Sequence, residues 1–141
     1  MNTSLKIGIT TTIGMIGGAV AKFLGGWSSD LITLLIFMGV DLLSGLAVAG
    51  IFHKSEKTTC GAIESNTMFK GIVKKVFMIF IVALLHRLDI TLGITFLRTA
   101  VIIGFIANEF MSIIENVGLM GVPLPSVVKK ALELLKEQED K

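Results

Sequence analysis

The apolar residues of this chain run in long blocks, and the charges gather in the gaps between them. A helix needs ~20 mostly apolar residues to cross the hydrocarbon core of a bilayer. Stretches at 7–26, 31–52, 72–88 and 90–117 approach or exceed that length. The first is the least apolar, rich in Gly and Thr, and holds Lys22. Asp41 and Ser44 interrupt the second. The third has its apolar heart from Val76 to Leu85, and the fourth passes Arg98 and turns polar toward its end. Only 17% of the residues are charged, with a mean hydropathy of +0.81, against about 25% charged in an ordinary soluble domain. No run of short alternating segments competes, as a β-barrel would require. The expected fold is therefore all-α: a multi-pass transmembrane protein with four spans in two hairpins. Residues 1–125 form the embedded domain and 126–141 a cytoplasmic tail.

The gaps set the expected orientation, because lysine-rich loops stay on the cytoplasmic side. Residues 53–75 carry Lys54, Lys57, Lys70, Lys74 and Lys75 against Glu56 and Glu64, and the loop proper is 53–71. Lys6 marks the N-terminus for the same side, and Lys129, Lys130 and Lys136 mark the tail. Four spans with both ends in the cytoplasm satisfy all three markers; the alternative is three spans, with 7–26 lying on the surface and the N-terminus outside or the loops flipped. The turn from Gly26 to Asp30, anchored by Trp27, and the short turn from His86 to Asp89 then face outward. The first block lacks a small-residue cleavage site and is expected to be retained. After the fourth block, Pro123 and Pro125 forbid helix continuation. Ser126 can cap a new helix, with Val127, Val128, Ala131, Leu132, Leu134 and Leu135 on one face. Such a short amphipathic helix suits an interface or self-association.

Polar residues inside apolar blocks are the candidate functional residues. An ionised carboxylate at mid-membrane costs ~2.5–3.5 kcal/mol on insertion scales, so Asp41 should face protein or water. Ser44 and Gly45 share its helix face. Gly45 and Ala49 continue that face as a small-residue surface open to helix approach. In the fourth block Asn108, Ser112, Glu115 and Asn116 recur at helical spacing, with Glu109 beside them. Phe110, Met111, Ile113 and Ile114 form the opposite, apolar face. The bland alternatives are a packed, hydrogen-bonded Asp41 and a span that simply emerges into the cytoplasm. Lys22 and Arg98 are expected to snorkel to the interface, the alternative being that either reaches toward Asp41.

Several function classes are excluded. The two histidines, His53 and His86, have no metal-ligand spacing, and no Gly-x-Ser-x-Gly elbow or phosphate loop exists. Asp41 and Asp89 fall at different depths and do not make an aspartyl pair. Cys60 is the only cysteine, which leaves no disulfide framework. A net charge of +2 is too small for a nucleic-acid binder. No catalytic residue, cofactor or metal is expected.

Met38-x-x-Asp41-x-x-Ser44-Gly45 is followed by Lys54-Ser55, Lys70-Gly71-Ile72-Val73-Lys74-Lys75 and Leu88-Asp89. Then come Asn108-Glu109-x-x-Ser112-Ile113-x-Glu115-Asn116 and Gly121-Val122-Pro123-Leu124-Pro125. This ordered set resembles the toxin-secretion/phage-lysis holin family of Gram-positive bacteria and their phages. The resemblance covers about Leu31 to Leu135, leaving residues 7–26 and the pair His86-Arg87 outside it. It implies a protein that accumulates in the bacterial cytoplasmic membrane and oligomerises into lesions. Its partners would be the bilayer and copies of itself, with an endolysin as a functional partner that needs no direct contact. The alternative from another class is a small transporter or channel subunit. A chain with no Tyr and one Trp supplies little for a substrate site.

Overall fold

The computed structural model describes residues 2–139. In chain order it contains α1 (Thr3–Phe23), α2 (Ser29–Ala47), α3 (Ser65–Leu92), α4 (Leu97–Leu119) and α5 (Ser126–Glu139). A π-helical turn (Val48–Phe52) continues α2 to its end. No strand occurs among the described residues.

Each boundary has a local cause. Gly25 and Gly26, at φ +87° and +93°, turn the chain between α1 and α2. Gly25 is crowded as well: a Cβ there would lie 2.7 Å from His86 Nδ1 and 2.9 Å from Arg98 Nε. His53 ends the π turn in the left-handed conformation. Gly93, at φ +69°, closes α3, and the N–H groups of Gly93 and Ile94 both donate to the Asp89 carbonyl. Gly121 and the two prolines stop α4. The Pro125 carbonyl accepts the first bonds of α5, from the N–H groups of Val128 and Lys129.

These boundaries revise the expected ones. The first helix begins at Thr3, and α3 begins at Ser65, shortening the loop to 53–64. His86 to Asp89 is not a turn. α3 runs through Leu92, and the turn lies at residues 93–96. Gly93, free to take positive φ, marks the break that the charged residues only suggested. Ser126 is the first helical residue of α5 and not a cap before it.

α2, α3 and α4 pack around Leu24, Leu31, Leu34, Met38, Met78, Val82, Ala83 and Ile102. α2 and α4 run parallel: Ser28 meets Arg98 at one end, and Ser44 meets Asn116 at the other. α3 is antiparallel to both, since Asp89 touches the start of α4 and Lys75 the middle of α2. Around this bundle, large apolar side chains such as Ile36, Leu43, Phe77, Leu84 and Ile103 are exposed. So much outward apolar surface suits hydrocarbon and not water. α1 has a single buried residue, Ala21, and joins the bundle at its C-terminal end.

By length and composition, three helices can cross a membrane: Thr3–Phe23, Ser29–Phe52 and Leu97–Leu119. α3 has 28 residues, about 42 Å of helix. Lys70, Lys74 and Lys75 on one side of its apolar heart, with Arg87 and Asp89 on the other, keep it out of that set.

Candidate functional site

Hydrocarbon around a bundle removes the hydrophobic drive between helices and leaves packing and polar contacts to hold them. Polar side chains inside the bundle therefore carry unusual weight. The described chain places them in two layers.

The inner layer lies midway along α2. Lys75 Nζ donates to Asp41 Oδ2 at 2.7 Å and also to Glu109 Oε2, forming ion pairs with both carboxylates. Asn116 Nδ2 donates to Ser44 Oγ at 2.9 Å and to Asp41 Oδ1 at 3.3 Å. Ser44 Oγ in turn donates to the Asp41 carbonyl at 3.0 Å. The side chains of Asp41, Lys75 and Glu109 are only 12%, 17% and 8% exposed. Burying an ion is costly without a partner in good geometry and hydrogen bonds to its remaining atoms. Here each helix supplies what the others need. One ammonium faces two carboxylates, and Lys57 adds a second cation at the rim, its Nζ 3.3 Å from Ser112 Oγ.

The outer layer lies where α1 turns into α2. Arg98 Nε donates to the Leu24 carbonyl at 2.6 Å. Its Nη2 reaches the Gly26 carbonyl at 3.2 Å and Ser28 Oγ at 2.9 Å, and Nη1 lies 3.8 Å from Asp30. The Asp89 carboxylate accepts from the backbone N–H groups of Leu97 and Arg98 at 3.1 and 3.0 Å. It thereby caps α4 from another helix, where free N–H groups and the helix dipole favour an anion.

Of the residues singled out in the sequence, Asp41, Ser44, Glu109 and Asn116 meet in the inner layer. The stripe on α4 divides: Glu109 and Asn116 are buried, whereas Asn108 and Glu115 are exposed and Ser112 lies between. Glu109 is thus central, not flanking, because α4 turns the face of Ile102, Glu109 and Asn116 inward. Gly45 sits beside Asn116, but an added Cβ would stand 3.7 Å from its Nδ2, an ordinary contact. The close helix approach expected at Gly45 is not a tight one. Asp41 and Asp89 occupy different layers.

Arg98 does not snorkel; it is buried, with its donors directed at the turn. Lys75 was expected only among the loop lysines, yet it is the hub. Its signal lies in the helical period, since Lys75, Met78, Val82 and Asp89 fall on one face of α3. Among the described residues no cluster of three or more His, Cys, Asp or Glu could hold a metal.

The bacteriophage holin family model matches residues 18–137 of this chain. An uncharacterized protein of Listeria innocua is 37% identical, over 88% of this chain and 85% of its own length. One of Halalkalibacterium halodurans is 34% identical, over 90% and 93% respectively. A protein of Bacillus phage phi105 named as a probable holin is 25% identical, over 76% of this chain and 74% of its own. No solved structure matches. The matched family is one of membrane proteins and not of enzymes. With the family model matched over most of its length, the chain belongs to the bacteriophage holin family.

Proposed function

We propose that this protein is a holin in the working sense. It accumulates in the bacterial cytoplasmic membrane and then assembles with copies of itself into lesions that let an endolysin, or a toxin, leave the cell. The observation that carries this reading is a closed ion network inside a bundle whose outside is apolar. The isolated chain hides Asp41, Lys75 and Glu109 from lipid by pairing them with one another. Assembly offers the same side chains water or a second copy instead.

The register of the helices, with the lysine distribution, supports a four-span arrangement. α2 and α4 are parallel and both long and apolar enough to cross. α3 joins them as an antiparallel neighbour of at least equal length, so it crosses back through the same slab. Its charges are met by partners: Lys75 at the inner layer and Asp89 at the outer one. With α1, this makes four spans, both termini and the 53–64 loop in the cytoplasm, and residues 126–141 as a cytoplasmic tail. In the assembled lesion, Asn108, Glu109, Ser112, Glu115 and Asn116 face water, while Phe110 and Ile113 keep to lipid. Asp41, Ser44 and Gly45 supply the adjoining helix surface.

The test is controlled expression with a cytoplasmic peptidoglycan hydrolase. A holin stops growth abruptly and releases the hydrolase after a delay. Steady growth at full membrane levels of the protein would sink the reading in favour of a transporter or channel subunit. The exposed Cys60 tests orientation separately. An impermeant thiol reagent should label it in inverted vesicles and not in intact cells.

A further inference from the structure

The cleft between α3 and α4 has the paired Asp41, Lys75 and Glu109 in its wall and extends past them to residues the network does not use. It holds about 350 Å3 and reaches the lysine-rich end of the bundle. Lys57, Lys70 and Lys74 line it toward the loop, and Met78 and Phe105 line it further along the helices. Lys75 also borders it, but its charge is committed to Asp41 and Glu109. Among the described residues no ion pair engages Lys70 or Lys74. Thus cations stand at the level of the loop, the carboxylates in the wall are already paired with Lys75, and apolar side chains begin one to two helical turns further along. That is the order of chemistry along a phospholipid: a phosphate first, then hydrocarbon. A soluble anion has no such apolar continuation.

We infer that this cleft binds an anionic phospholipid, its phosphate between Lys70, Lys74 and Lys57 and the start of an acyl chain against Met78 and Phe105. Basic clefts between spans on the cytoplasmic side suit such headgroups. Binding there would set Lys57 between two anionic claims, the lipid phosphate and the Asp41–Glu109 pair behind Ser112. The inference rests on the membrane-embedded reading above, whose orientation the Cys60 labelling tests independently.

The experiment uses the full chain in nanodiscs of phosphatidylcholine with a minority of phosphatidylglycerol. The lipids that stay bound on release are counted by native mass spectrometry. Phosphatidylglycerol should be retained well above its share. The double variant Lys70→Gln/Lys74→Gln should lower its apparent affinity by roughly thirtyfold, the scale expected for two basic residues near an anionic headgroup. The double variant Lys129→Gln/Lys130→Gln removes the same charge from α5, away from the cleft, and should keep the lipid. Both pairs are exposed, so folding survives and is checked by circular dichroism. Equal retention in the two double variants would overturn the site. So would equal retention of the two lipids, or displacement of the bound lipid by inorganic phosphate, which would mark an anion site alone.

Discussion

Eleven residues separate Asp30 from Asp41 on α2, and eleven separate Arg98 from Glu109 on α4. The bundle thus carries two polar layers about 16 Å apart along the helices, with the apolar core between them. They are built differently. In the outer layer charged side chains bind backbone: Arg98 holds the carbonyls of Leu24 and Gly26, and Asp89 holds the first N–H groups of α4. In the inner layer the charges bind one another, and every helix keeps its own backbone bonds. Loss of an outer partner therefore strands peptide groups that nothing else satisfies. Loss of an inner partner strands only side chains, which water or a second copy can serve. The outer layer is thus tied to the backbone, and on the proposed function the inner layer is the exchangeable one.

The largest expected effect falls on the outer layer. Arg98→Met frees the turn carbonyls and leaves Asp30 without its cationic neighbour, while the backbone N–H of residue 98 still serves Asp89. Breaking a buried, hydrogen-bonded charge cluster costs about 3–5 kcal/mol. The variant should unfold at much lower denaturant in detergent and accumulate poorly, so that lysis fails for want of protein. Wild-type membrane levels of Arg98→Met would erase the distinction between the layers.

The inner layer should respond in timing. Lys75→Met leaves Asp41 and Glu109 without their shared cation, and the helices remain intact. We expect near-normal accumulation with earlier lysis. Asp41→Leu should also shift the schedule, and Asp41→Asn less, since it keeps shape and hydrogen bonding. The measurement is lysis time at matched membrane levels, with cross-linked oligomer size as a second readout. Normal timing in all three variants would reduce the network to packing.

How much of this was legible beforehand differs between the layers in the same way. The helical class and most of the apolar blocks followed from hydropathy, because a bilayer imposes a fixed length. Asp41, Ser44, Glu109 and Asn116 stood out because side-chain chemistry in an apolar block is visible in sequence. Their hub did not, because Lys75 lies at the edge of a lysine run and resembles its solvated neighbours. The role of Arg98 was hidden for another reason. Its partners are mostly backbone groups of a distant turn, and carbonyl oxygens leave no residue type to read. Asp89 misled for the same cause, since a carboxylate that caps another helix looks like a loop residue.

Two glycines give a smaller and cleaner contrast. Gly25 lies in the outer layer at φ +87°, with Arg98 Nε 2.9 Å from where a Cβ would be. Gly25→Ala should cost about 1–2 kcal/mol from the left-handed backbone, with the displacement of Arg98 added to that. Gly45 lies in the inner layer, in helix, with only an ordinary contact to Asn116. Gly45→Ala should be neutral or stabilising by about 0.5–1 kcal/mol through helix propensity. Thermal unfolding of the two variants side by side reads the difference, and the opposite order would mean that the inner layer is the tighter one.

The smallest effect concerns the loop that brings Lys57 to the inner layer. Within it the Glu64 carboxylate accepts from the Thr59 hydroxyl at 2.8 Å, the Thr59 N–H at 3.2 Å and the Thr67 hydroxyl at 3.3 Å. The Thr59 hydroxyl, then its N–H, hold the Glu64 carboxyl below its ordinary range. A lowered folded value means that the anion is the form the loop binds. Its contribution is complete above the unfolded value of about 4.3 and is lost as pH falls through the lower folded one. Hydrogen exchange at the Thr59 amide, corrected for intrinsic rate, should therefore show protection near neutrality that fades in acid. Glu64→Gln should show little protection at any pH, and the α2 amides near Leu34 should be unaffected in both. The outer layer shares no residue with this loop. Acid that loosens Thr59 should leave Gly25 and Arg98 protected, and a parallel loss at both would mean that the two layers open as one unit.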